Sequence, residues 1–183
     1  MQIELLPHPT APPLPIRTIG CDVARLVDGR LGFVFLVVGE IERLRIPSAG
    51  VPARRDGLWR HTCFEAFVRP LAGDTYFEFN FSPSGEWAAF RFDGYRSGVV
   101  AADVEPPTIQ SAADANHLSL IASIDLGPTP ELVPWENWRI GLSAVIEAED
   151  GTVSHWALAH PPGAPDFHAK SCFQRQVAPA ATL

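Results

Sequence analysis

The run Tyr76-Phe77-Glu78-Phe79-Asn80-Phe81 alternates with a period of two, placing three phenylalanines on one face and Tyr76, Glu78 and Asn80 on the other. One face of such a strand packs, and the other can face solvent or a ligand. The sequence on either side continues the pattern. Upstream, Thr62 to Val68 is dense in strand-favouring residues and carries one carboxylate, Glu65, inside an apolar run. Pro70 to Asp74 reads as a turn between these strands, and Ser82 to Gly85 as a second turn before the strand Trp87 to Phe92. The stretch from Asp56 to Tyr95 is therefore a three-stranded antiparallel meander.

Several further strands are expected. Leu31 to Val38, after the turn at Asp28-Gly29, is apolar at nearly every position and reads as a strand buried on both faces. Glu40 to Ile46 reads as a polar edge strand, and His117 to Ile124 and Trp138 to Ile146 alternate cleanly. Glu149-Asp150-Gly151 is a hairpin turn leading back into Val153 to Leu158. Ile16 to Val27 gives no firm assignment, Ser97 to Pro107 is short of order signals, and Asp125 to Asn137, with three prolines, reads as a loop. No long segment has helical periodicity, so the expected class is all-β, a two-sheet antiparallel β-sandwich. Residues 1–15, with five prolines, form an extended N-terminal arm anchored by Ile3, Leu5 and Leu6, and residues 16–183 form a single domain.

Composition narrows the function. A net charge of -7 and the lack of a basic stripe with interleaved aromatics argue against nucleic acid as a partner. No run reaches the ~18 apolar residues of a membrane helix, and the N-terminus lacks the basic start and apolar core of a secretory signal, so a cytoplasmic location is expected. Cys21, Cys63 and Cys172 are odd in number and without paired spacing, which fits reduced thiols.

Three pieces carry a family resemblance: Leu58-Trp59 followed by Cys63 to Val68; Tyr76 to Asn80 with Ser82-Pro83-Ser84-Gly85 and Trp87; and Pro165-Asp166-Phe167-His168. With these, the chain resembles the DOMON-like group of β-sandwiches, which is similar to the family-9 carbohydrate-binding modules. The resemblance implies a sandwich that binds sugars or haem without catalysing a reaction. Haem-binding relatives use a Met and His pair, whereas Met1 is the only methionine here, so no cofactor is expected.

A sugar presents flat apolar faces rimmed by hydroxyls, and its site needs an aromatic to stack and carboxylates or amides to hold the rim. Trp59, Glu65, Tyr76, Glu78, Asn80, Trp87 and Arg91 supply that mixture and are the candidate ligand-binding residues, for a carbohydrate or another small polar ligand. Glu65 would be costly if buried unpaired, and Arg91, Arg60 and His61 are its candidate partners. A competing reading is a metal-dependent hydrolase or isomerase using His155, His160, Asp166 and His168, although their spacing matches no zinc signature. A third is a protein-interaction domain that docks a partner on its strand edges or proline arm.

Overall fold

In a computed structural model that describes residues 3–127 and 129–179, the chain is built from strands and three single 3-10 turns. The strands are β1 (Ile3–Pro7), β2 (Ile16–Arg25), β3 (Leu31–Gly39), β4 (Cys63–Pro70), β5 (Tyr76–Phe81), β6 (Trp87–Phe92), β7 (Val100–Ala101), β8 (Thr108–Ala113), β9 (His117–Ile124), β10 (Trp138–Glu147), β11 (Val153–Ala157) and β12 (Arg175–Val177). All the pairings between these strands are antiparallel. The all-β antiparallel class is as expected, but hydrogen bonding draws one path rather than two separate sheets. Its order is β7-β6-β5-β4-β10-β11-β1-β2-β3-β9-β8, with β12 added beside β10. No helix among the described residues is long and apolar enough to cross a membrane.

The hinge of this path is β1. Ile3, Glu4 and Leu5 pair with β2, and then Leu6 and Pro7 pair with β11, so the N-terminal segment serves as a strand joining the two halves. The halves meet through their phenylalanines. Phe33 of β3 lies 5.5 Å from Phe81 of β5, and Phe35 lies 4.9 Å from Phe64 of β4, ring centre to ring centre. Around them pack the inward residues of β9 and β10, Leu118, Leu120, Ile140 and Leu142 among them. Period-two alternation thus delivers one face of each long strand to a shared core.

On β4, β5 and β10 the opposite face is buried too, by a second cluster comprising Phe67, Tyr76, Phe92, Val145, Ala157, Phe167 and Phe173. Phe167 and Phe173 come from the C-terminal segment, which folds back over the sheet. Gly141 of β10 permits this approach, because a Cβ there would lie only 3.2 Å from the Cys172 carbonyl oxygen.

Several expectations need correction. Glu40 to Ile46 is not an edge strand: Ile41–Arg43 is a 3-10 turn, and Leu44 makes a single bridge to Ala148. Its apolar residues Ile41 and Leu44 are three apart, the spacing that a tight turn brings to one side. The outer face of β3 is half open, with Val34 exposed. β2 escaped the reading because its register shifts between Ile16 and Thr18, which breaks the alternation. β8 escaped because its side chains are mostly exposed and polar, as suits the end of a sheet.

Candidate binding cleft

Strand register determines which side chains share the covered face of the half-sheet. Glu65 lies opposite Asn80, and Phe67 opposite Glu78, across β4 and β5. Glu78 lies opposite Phe90, and Tyr76 opposite Phe92, across β5 and β6. On the other flank, Ser143 of β10 lies opposite Glu65, and Val145 opposite His155 of β11. Of these, Glu65, Phe67, Glu78, Phe90, Phe92, Val145 and His155 form the floor of a cleft of about 480 Å³. Its walls come from outside the strands: Trp59 from the 3-10 turn Leu58–Arg60, Arg96 and Val99 from the turn after β6, and Pro165, Phe167 and His168 from the C-terminal segment.

The floor is polar at its centre and aromatic around it. Glu65 and Glu78 are only 3% and 6% exposed. Oε2 of Glu65 accepts a 2.8 Å bond from the Ser143 hydroxyl, and Oε1 of Glu78 accepts a 2.7 Å bond from the Asn80 amide. Burial, reinforced by the neighbouring charge of Glu78, pushes Glu65 up to about 8, against the opposing effects of Ser143 and Arg96. Burial raises Glu78 as well, with Asn80 and Arg96 working against it.

His168 seals one end. Its ring centre is 5.2 Å from Phe67 and 5.2 Å from Phe92, and Nδ1 is 2.7 Å from the Tyr76 hydroxyl. The Arg96 backbone N–H donates to that hydroxyl at 3.2 Å, leaving the phenolic proton free to donate to His168 Nδ1. The imidazole proton then resides on Nε2, 3.7 Å from Glu78 Oε2. That separation falls within ion-pair range, but burial, with Arg96 adding to it, lowers His168 to about 4, so a neutral N–H faces the carboxylate near neutral pH. Arg96 holds a positive φ of 50°, uncommon outside glycine, at the point where its backbone meets Tyr76. Its guanidinium donates to Asp166 Oδ1 at 2.9 and 3.2 Å, and Tyr95 donates to Asp166 Oδ2 at 2.7 Å. Despite burial, these bonds hold Asp166 below the usual carboxylate range.

The candidate residues divide accordingly. Trp59, Glu65 and Glu78 line the cleft; Tyr76 and Asn80 are buried supports bonded to His168 and Glu78. Trp87 does not face it. Directly opposite Phe81, it shares that residue's core face and is 5% exposed, with the Arg54 guanidinium 4.4 Å from its ring centre. Arg91 shares the Trp87 parity and pairs with Glu131 and Asp93. Nor is Glu65 held by a basic partner: Arg91 is turned away, Arg60 lies over Trp59 and His61 bonds Glu147, leaving Ser143 as the hydrogen-bond partner.

The proposed metal-binding constellation is dispersed. His160 Nε2 donates to the Leu6 carbonyl at 2.8 Å, Asp166 is bound by Arg96 and Tyr95, and His168 is bound by Tyr76, while His155 faces the cleft beside Phe167. Among the described residues no three His, Cys, Asp or Glu side chains are placed to hold one ion. The three cysteines are free and buried. The sequence reading did not assign Phe67, Phe90, Phe92, Arg96, Val99 or Phe167 to the cleft. Phe67 and Phe90 could have been found by register, since both lie opposite Glu78.

A cleft floored by antiparallel strands belongs here to an all-β fold shared with carbohydrate-binding modules. The chain is similar to a Bacteroides uniformis protein provisionally assigned as carbohydrate-binding, with TM-score 0.62, 14% identity, and coverage of 88% of this chain and 78% of the other. It is also similar to a family-9 carbohydrate-binding module from Caldicellulosiruptor kristjanssonii, solved in complex with glucose, with TM-score 0.53, 8% identity, and coverage of 91% and 78%. At these identities the likeness is one of fold. No family model matches the sequence, and no curated protein matches it.

Proposed function

We propose that this chain is a non-catalytic binding protein that takes a carbohydrate, or another small polar ligand of similar size, in the cleft above Glu65 and Glu78. One observation carries the reading: aromatic walls enclose two carboxylates, each of which keeps an oxygen uncommitted to any hydrogen bond among the described residues. Trp59, 46% exposed at the rim with Arg60 over its ring, offers its remaining aromatic surface for stacking, and the carboxylates can accept bonds from ligand hydroxyls. The glucose complex of a module with this fold supports the same ligand class. No serine, threonine or cysteine is among the described residues that line the cleft. The Ser143 hydroxyl is engaged by Glu65, and burial holds the Cys63 thiol well above its ordinary range. The proposal extends to the DOMON-like grouping, with the strand path read as two sandwich layers joined at β1.

Calorimetric titration with a panel of mono- and disaccharides tests the reading. Saturable binding to at least one sugar is expected, and Trp59→Ala should weaken it roughly tenfold or more, as loss of an aromatic anchor does. The melting temperature should change little, because Trp59 lies at the rim. A flat titration across the whole panel would sink the proposal.

A further inference from the structure

We infer that the ligand of this cleft carries a cationic amine, seated between Glu65 and Glu78; on the carbohydrate reading, on which this rests, that makes it an amino sugar. The two carboxylates are diagonal neighbours on adjacent antiparallel strands, Glu65 opposite Asn80 and Glu78 two residues before Asn80. Such neighbours have Cα atoms about 7–8 Å apart, and their side chains can converge on one small group. Glu65 and Glu78 are both more than nine-tenths buried and line the cleft. Glu65 Oε1 has no hydrogen-bond donor among the described residues, and Glu78 Oε2 has only His168 Nε2, at 3.7 Å, too far for a hydrogen bond.

The remaining charged and titratable groups around the pair offset it only in part, through Arg96. Arg96 is committed to Asp166, His155 and His168 are held neutral by burial, and Tyr76 and Cys63 keep their protons. A ligand offering only hydroxyls would leave Glu65 protonated and the cost of burying its charge unrelieved, and an anion would be repelled by whichever carboxylate is ionised. An ammonium brings a charge and three N–H donors to two vacant acceptors, and the rings of Phe90, Phe92 and Trp59 along the cleft favour a cation further. Because Glu65, raised to about 8, retains its proton at neutral pH, an entering ammonium displaces it, so binding releases protons to the buffer.

Titration calorimetry at pH 7 with D-glucosamine, D-glucose, N-acetylglucosamine and ethanolamine, in two buffers of different ionisation heat, decides the matter. Glucosamine should bind at least about tenfold more tightly than glucose, the difference expected of one charge-assisted contact. N-acetylation should abolish the gain, and so should Glu78→Gln. The observed heat should differ between buffers in the sense of proton release. Equal affinity for glucose and glucosamine, within about twofold, overturns the amine inference and leaves the carbohydrate reading standing. Glu78-dependent binding of ethanolamine without either sugar removes the sugar and retains the ammonium site. No binding of any of the four overturns both.

Discussion

Trp87→Ala is expected to destabilise the protein by about 3–5 kcal/mol, the range for truncating a buried large aromatic, while leaving ligand affinity below the melting transition unchanged. The indole is enclosed by the main core, lies opposite Phe81 and is capped by Arg54. Its backbone N–H also bonds the Ala53 carbonyl and its carbonyl accepts from Arg55, so the chain around it is tied down and cannot collapse readily into the space left. For a chain of 150–250 residues each kcal/mol moves the melting temperature by about 2–4 °C, which makes the expected drop about 6–20 °C. Differential scanning calorimetry of the variant, paired with sugar titration at low temperature, checks both halves. A lost affinity with an unchanged melting temperature would show that Trp87 serves the ligand rather than the core.

Trp87 also shows what the sequence could and could not reveal. The meander was legible because Phe77, Phe79 and Phe81 alternate with Tyr76, Glu78 and Asn80, and those two sets do face different surroundings. The turn from Ser82 to Glu86 then decides the parity of the next strand. With Phe81 and Trp87 as the closing pair, Trp87 falls on the core face and Phe90 on the cleft face. That parity was available in principle, but a shift of one residue in the turn would reverse every assignment on β6. Glu65 stands out because a carboxylate inside an apolar run must be accounted for, and Glu78 because it alternates with the phenylalanines of β5. Their surroundings do not, because Arg96, Phe167 and His168 reach the floor through turns that have no periodicity. The face called open in the sequence is covered by those same turns. Likewise, Asp166 and His168 resemble metal ligands in the sequence, yet each is engaged in the structure, by Arg96 and by Tyr76.

The second large effect is one of pH. Glu65→Gln is expected to stabilise the protein above pH 8 by about 3–5 kcal/mol and to change it little near pH 4.5, since each unit of pKa displacement corresponds to ~1.4 kcal/mol. Burial puts Glu65 near 8 in the folded chain, against its ordinary 4.5 when unfolded. Between those values the folded state holds a proton that the unfolded state releases, so stability falls as pH rises through the window, and the full cost is present above it. His168 acts in the opposite sense. Its folded value near 4 lies below the ordinary 6.5, so the unfolded state holds the extra proton in that interval and stability is lost as pH falls through it. From these two groups the slopes nearly cancel between 4.5 and 6.5, giving a plateau there, a declining alkaline limb governed by Glu65 and an acid limb shared with His168. Urea melts of the two proteins at pH 4.5, 7 and 9 test this. The gap between them should open with pH, and a constant gap, or a less stable variant at pH 9, would rule out the assignment. The same substitution should also remove the preference for an ammonium ligand. A variant that is both more stable and less able to bind is the expected signature of a buried carboxylate kept for its ligand, because the cost of burying it is then relieved only when a cation arrives.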